Sequence, residues 1–164
     1  MQKIFKILNG FDKLLRFFVF VIIIVMTCST ALQVIGRYIL TIPFPWTEEL
    51  SRRMMTWLLF IASAIAYRSG GMMGIDILTR KFSNKANLYI GVMINVMVSL
   101  FGSFLAWQGY IFASRSYRQI SSALGISMMY VYMVIPFSGF LFVLFSIEHI
   151  MKRLSGARSE EAVQ

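Results

Sequence analysis

The sequence predicts an all-α integral membrane protein with four transmembrane helices, forming a single membrane domain over residues 1–164. Of its residues, 58% are hydrophobic and only 14% are charged, with a mean hydropathy of +0.71. A soluble domain has about 25% charged residues. Here the charges are separated by long apolar runs, which are typical of helices that face lipid. The predicted spans are residues 17–38, 45–67, 86–114 and 126–148.

A basic amphipathic segment precedes the first span. In residues 3–18 the apolar side chains recur at helical spacing, while basic side chains occupy the other side. Such a helix lies in the lipid headgroup layer or extends the first span into the cytoplasm, and the sequence leaves both alternatives open. Residues 17–36 follow without a charge, a run long enough to cross a hydrocarbon core of about 30 Å.

The second span is predicted only if its charged start is included. The charge-free part, residues 54–67, is too short to cross a bilayer. Counting from Pro45 gives a helix of about 34 Å, and proline favours the first helical turn. The first two turns then carry two acids, each four residues before an arginine, which is the favoured order for ion pairs along a helix: Glu48, Glu49, Arg52 and Arg53.

Two interpretations of this charged start remain open. In the first, the charges form interfacial ion pairs, with an aromatic side chain anchoring the helix in the headgroup region. In the second, the polar face binds another protein or a lipid headgroup, because ionisable groups beside hydrocarbon tend to face protein or water. The candidate partner-interface or lipid residues are Arg37, Trp46, Glu48, Glu49, Arg52, Arg53 and Trp57.

The third and fourth apolar runs are each longer than one bilayer. Residues 86–114 and 119–147 contain no charge, so each needs tilt or an interfacial extension. The small and polar residues 121–125 predict a turn, which would start the fourth span near Ile126. Pro136 then falls within that span and predicts a kink.

The basic residues predict that both termini lie in the cytoplasm. Cytoplasmic segments of membrane proteins carry an excess of lysine and arginine. With the N-terminus inside, eleven basic residues are cytoplasmic and five are outside. The inner set is Lys3, Lys6, Lys13, Arg16, Arg68, Arg80, Lys81, Lys85, Lys152, Arg153 and Arg158, and the outer set is Arg37, Arg52, Arg53, Arg115 and Arg118.

Small residues recur every three or four positions on the second and third helices. Such faces let helices approach closely, either within one bundle or against a partner protein, and both alternatives stay open. Three isolated polar residues, Gln33, Asn95 and Gln108, are expected to form hydrogen bonds between helices. The candidate helix-packing residues are Ala62, Ala66, Gly102, Ala106 and Gly109, with Gly70 and Ala113 continuing the two series.

The residues do not predict an enzyme. His149 is the single histidine and Cys28 the single cysteine, which excludes a zinc site, a bis-histidine haem and a catalytic triad. Of the acids, only Glu48 and Glu49 are assigned to a membrane-associated helix; Asp76 is placed in a loop and the others near the termini. We therefore expect no cofactor and no metal. Nucleic-acid binding is not expected either, because the basic residues lie between apolar runs.

Several motifs resemble the small membrane (Q, DctQ-like) subunit of tripartite ATP-independent periplasmic (TRAP) transporters, and the resemblance covers nearly the whole chain. The family pattern joins an Arg-Tyr pair, a W-x-E-E-x-x-R element, an aromatic-rich span and a later Arg, Gly and Asp. The matching residues are Gly36-Arg37-Tyr38, the octapeptide 45–52 (PWTEELSR), Trp57, Arg68, Gly74-Ile75-Asp76, residues 122–126, Tyr132 and Pro136.

The resemblance implies a non-enzymatic transport subunit in the bacterial inner membrane. Such a subunit binds a large ion-coupled membrane subunit as a scaffold. A periplasmic binding protein delivers an organic acid of the dicarboxylate or sialic acid type. The alternative is a self-sufficient small four-helix exporter, but these carry an acid in mid-span, and the four charge-free runs contain none. A four-helix oxidoreductase subunit would need haem ligands that the chain lacks.

Overall fold

The computed structural model describes residues 2–39, 41–42, 44–70 and 84–161, with side chains from 8 to 152 in these ranges except 84–88. Within them the chain is helical, with one isolated antiparallel bridge between Ile120 and Ser127, which confirms the all-α prediction. The helices are α1 (Gln2–Tyr38), α2 (Pro45–Arg68), α3 (Asn84–Arg115), α4 (Met128–Tyr132) and α5 (Val134–Glu161), with a 3-10 turn at Ser116–Arg118.

The long helices lie side by side in the order α1, α2, α5, α3. The contact between α3 and α5 is the most extensive, followed by that between α1 and α2, and α2 joins the two pairs by packing on α5. The core lies along these contacts. Its buried apolar residues are Leu15, Ile61, Ala64, Ile65, Val134, Leu141 and Phe145.

Three segments are long and apolar enough to cross a membrane: Leu8–Tyr38, Tyr89–Arg118 and Met128–Lys152. The chain is therefore a multi-pass membrane protein. Helix α2 is not among the three, because four charges in its first two turns lower its mean hydropathy. The count of four spans and the orientation of the chain thus stay predictions.

Helix α1 runs unbroken from Gln2 to Tyr38. The predicted amphipathic segment and the first span are therefore one helix. Of the two alternatives, this agrees with a segment that extends the first span. Helix α2 begins at Pro45, as predicted. It ends at Arg68, and Gly70 two residues later has φ +102°, the left-handed region that favours glycine. The rest of the predicted turn at Gly71, the basic segment 75–82 and the motif residues 74–76 lie outside the described residues.

The predicted turn at 121–125 is confirmed. The Gly125 amide donates to the Ser121 carbonyl at 3.0 Å, and Gly125 has φ +66°. The next helix begins at Met128, where the Ser127 hydroxyl caps it by accepting from the Met129 amide at 3.3 Å. The kink predicted from Pro136 takes the form of an interruption at Met133, one turn earlier. Proline causes it because its ring clashes with the carbonyl four residues back.

Candidate functional site

The start of α2 is held by backbone and hydroxyl contacts. Phe44 precedes the helix without capping it by a side chain, and Pro45 needs no amide donor in the first turn. Thr47 is fully buried, and its hydroxyl donates to the Phe44 carbonyl at 2.7 Å. From α1, the Ser29 hydroxyl donates to the Thr47 carbonyl at 3.0 Å. The charged turns that follow are therefore fixed relative to α1.

Both predicted i,i+4 ion pairs form, but in different environments. Arg52 donates to Glu48 at 2.9 Å, and both side chains are well exposed. Arg53 donates to Glu49 at 2.7 Å, and only 19% and 13% of these two side chains are exposed. One pair is thus available at the surface, whereas the other is mostly covered by the protein.

Glu49 also holds a loop of its own chain. Its second carboxylate oxygen accepts a hydrogen bond from the Ala123 amide at 2.9 Å. Within the loop, the Ser121 hydroxyl accepts from the Leu124 amide at 3.1 Å. The loop after α3 thus covers Glu49 and Arg53, so this half of the polar face of α2 is occupied within the chain.

The other candidate residues of this region are spread over two levels. Arg37 is exposed at the end of α1, and Trp46 is 42% exposed in the first turn of α2. Trp57 lies about three turns deeper, where its ring makes an edge contact with that of Phe18 at 5.9 Å between centroids. It also lines an apolar groove of about 450 Å³. The remaining lining residues are Tyr110, Met133, Pro136 and Phe137.

The small residues of α3 lie against α5. A Cβ atom added at Gly139 would be 2.5 Å from the Ala106 amide nitrogen and 2.6 Å from the Gly102 carbonyl oxygen. One at Gly109 would be 2.9 Å from the nitrogen of Pro136. The small residues therefore let the backbones of α3 and α5 approach closely. On α2, by contrast, Ala62 is half-buried and Ala66 is exposed.

A second charged cluster lies at the opposite end of α2. Arg68 donates from Nε and Nη2 to the two carboxylate oxygens of Glu148, at 2.8 and 3.0 Å. Its Nη1 is 3.4 Å from Asp12, and Lys152 lies 2.7 Å from Glu148. Glu148 is only 1% exposed and Arg68 8%. We call these four residues the Arg68 cluster; it joins α1, α2 and α5.

The neighbouring turn carries a neutral polar network. Asn95 of α3 is fully buried and accepts from the Tyr67 hydroxyl of α2 at 2.7 Å. The Ser146 hydroxyl of α5 donates to the Asn95 carbonyl. The expected interhelical hydrogen bond of Asn95 is thus confirmed. Gln33 and Gln108 make none with the residues that the structure describes.

Sequence similarity identifies the family to which the chain belongs. The sequence model described as "Tripartite ATP-independent periplasmic transporters, DctQ component" matches residues 26–156. The chain belongs to this family. It is also similar to the sialic acid TRAP transporter small permease protein SiaQ of Vibrio cholerae serotype O1. The two are 27% identical over 134 residues, which cover 80% of this chain and 78% of that protein. The resemblance expected from the motifs is confirmed.

The sequence analysis of this DctQ-family chain did not predict the Arg68 cluster. Asp12 and Glu148 were assigned to the termini, but the structure places both in helices and beside Arg68. Glu148 falls inside the predicted span 126–148, and Lys152 follows it at helical spacing. That spacing was the available signal. The pairing with Arg68, 80 residues away, depends on how the helices pack.

Proposed function

We propose that this chain is the small, non-catalytic membrane subunit of a TRAP-type secondary transporter, binding the large ion-coupled membrane subunit as a scaffold. The family match over residues 26–156 carries the proposal. The imported solute would be an organic acid of the dicarboxylate or sialic acid type, delivered by a periplasmic binding protein. A relative named for sialic acid supports the second type.

The proposal includes four spans, with both termini in the cytoplasm of a bacterial inner membrane. Helix α2 contacts α1 near both of its ends, through Thr47 with Ser29 and through Arg68 with Asp12. From Thr47 to Arg68 the helix rises about 32 Å, which is the height of a hydrocarbon core. Because α1 is itself apolar enough to span, an adjacent antiparallel helix of this height supports a fourth span. The eleven-to-five distribution of basic residues supports the orientation.

One side of α1 is open to a partner. This helix packs on α2 alone among the major contacts, and its other side exposes large apolar side chains such as Leu14, Phe17 and Phe20. We propose that the large subunit covers part of this side. The exposed residues Arg37, Trp46, Glu48 and Arg52 border it at one end and would contact the partner or lipid headgroups. Glu49, Arg53 and Trp57 would support that border from behind.

Affinity purification tests the scaffold role. The chain, tagged and expressed at native level, is purified from a strain that retains its neighbouring genes. The expected result is a stable complex with a much larger multi-span protein, and deletion of the chain abolishes uptake. Recovery of the chain alone, or normal uptake without it, would contradict the proposal. The self-sufficient exporter is not favoured, because the family match is to a component of a transporter of several parts.

A further inference from the structure

One polar side chain of α3 faces away from the rest of the chain. Gly102 and Gly109 turn toward α5, whereas Gln108 is exposed on a different side of the helix. Its amide forms no hydrogen bond with any residue in the described part of the chain. The donors and the acceptor of this amide are therefore available to a partner outside the chain.

The depth of Gln108 makes that availability costly in lipid. The apolar segment that contains it runs from Tyr89 to Arg118. Along the helix axis, Gln108 lies about 15 Å from Arg118 and about 10 Å from Arg115. At this depth the amide faces hydrocarbon, which offers no hydrogen bond. A protein partner within the membrane would satisfy it.

Gln108 belongs to a stripe of exposed side chains with the spacing of a helix-packing seam. Met97, Phe101, Phe104, Gln108 and Ile111 follow one another in alternating steps of four and three residues. The first three are each more than half exposed. This spacing lets two helices pack at a crossing angle of about 20°, and a single polar residue in such a seam fixes the register of the pair.

Two properties of Gln108 select a second copy of this chain as the partner. A primary amide both donates and accepts, so two copies of it can satisfy each other across a two-fold axis. The uneven distribution of basic residues favours one orientation in the membrane, which places Gln108 at the same depth in every copy. A lipid chain has neither property.

We propose that the free side of α3 is an interface between two copies of this chain, with the two Gln108 amides hydrogen-bonded to each other. The two-fold axis runs along the membrane normal beside the seam. The inference goes beyond the scaffold role, because the large subunit is proposed to cover α1, the other outer helix of the row. Both surfaces can be occupied at once, so two complete complexes stand side by side.

Photo-cross-linking in native membranes tests the interface. Phe104 is replaced by the photoreactive analogue benzoylphenylalanine in two differently tagged copies, which are expressed together with the large subunit. Irradiation should give an adduct of about twice the mass of the chain that carries both tags. The same replacement at Phe20 is the matched control, because Phe20 on α1 is 58% exposed and Phe104 is 61% exposed. The control should give no adduct with both tags.

Two variants test the amide itself. Gln108→Leu removes the hydrogen-bonding groups and should weaken the association of two complexes about tenfold, as the loss of an interhelical hydrogen bond does. Energy transfer between labelled complexes in vesicles, measured at increasing lipid dilution, gives this change. Gln108→Asn keeps a primary amide and should recover part of the loss. Neither variant should alter recovery of the large subunit, because Gln108 is exposed.

Three results would overturn the inference. An adduct that joins position 104 to the large subunit assigns the free side of α3 to that partner. No protein adduct from position 104 assigns it to lipid. Association of Gln108→Leu equal to that of wild type excludes the amide pair. The proposed function stands in each case, because it is tested by recovery of the large subunit with the chain.

Discussion

The two ends of α2 hold their charges in different ways. At its start, each acid pairs with an arginine four residues further along the same helix. At its end, Arg68 pairs with acids from two other helices, Asp12 of α1 and Glu148 of α5. The first arrangement stabilises one helix locally, whereas the second fixes the positions of three helices relative to one another. The same residue types therefore contribute differently to the fold at the two ends.

Two neighbouring acids at the start of α2, Glu48 and Glu49, also differ in their surroundings. Glu48 and Glu49 have the same partner spacing, but a rotation of about 100° along the helix places them on different sides. Glu48 faces outward, and Glu49 faces the loop after α3. Ion pairs at exposed positions contribute little to stability, and buried ones are costly to break. We therefore expect a graded series of effects from the Arg68 cluster to Glu48.

The largest effect is expected from Arg68→Met. The substitution leaves Glu148 buried, with partly exposed Lys152 as its remaining partner. Breaking a buried pair by removing one member costs about 3–5 kcal/mol. We expect a large drop in the midpoint of thermal unfolding, measured on the purified complex in detergent, and a lower yield. The double variant Arg68→Met/Glu148→Leu removes both charges and should recover part of the loss. If the double variant is no more stable than Arg68→Met, the ion pair is not the cause.

A smaller effect is expected from Tyr67→Phe, one residue before Arg68. It removes the hydroxyl that donates to the buried Asn95 side chain, leaving that acceptor unsatisfied. The expected cost is about 1–2 kcal/mol. Tyr89→Phe is the matched control, because Tyr89 is 74% exposed at the start of α3. Equal unfolding midpoints for the two variants would show that the charges alone stabilise this end of α2.

At the start of α2, Glu49→Ala should release the loop at 119–127. The variant removes the acceptor of the Ala123 amide and leaves Arg53, which is mostly covered, without its carboxylate. We expect faster amide hydrogen exchange at residues 121–125 and weaker assembly with the large subunit. Glu48→Ala is the same substitution one position earlier and should leave loop exchange unchanged. Protection of the Ala123 amide in Glu49→Ala equal to that in wild type would contradict the assigned role of Glu49.

The smallest effect on stability is expected from Glu48→Ala or Arg52→Ala. Both side chains are more than half exposed, and an exposed pair of this spacing contributes about 0.3–0.5 kcal/mol. We expect unfolding midpoints close to wild type in both. A loss comparable to that of Arg68→Met would mean that another protein covers this pair in the purified complex.

The local features of the site were predictable from the sequence. Pro45 predicts the start of α2, and a four-residue spacing predicts both ion pairs, because helix geometry alone brings such residues together. The turn at 121–125 followed from its small and polar residues. The family motif in α2 lies where these local rules apply. Three spans likewise followed from composition.

The long-range features were not predictable in the same way. Nothing in the spacing of Asp12, Arg68 and Glu148 indicates that they meet, since the contact requires α1, α2 and α5 to pack in one register. The covering of Glu49 depends on the loop after α3, 74 residues away. Sequence periodicity contains no information about such contacts.

The side-by-side order of the helices has a geometric consequence. A four-helix bundle of square cross-section directs one side of every helix toward a shared centre. In the order α1, α2, α5, α3, each inner helix has two major neighbours and each outer helix has one, so the outer helices keep more of their circumference uncovered. For the same number of residues, such an open arrangement offers more lateral area than a square bundle. A much larger neighbour can cover the free side of one outer helix and leave the free side of the other uncovered.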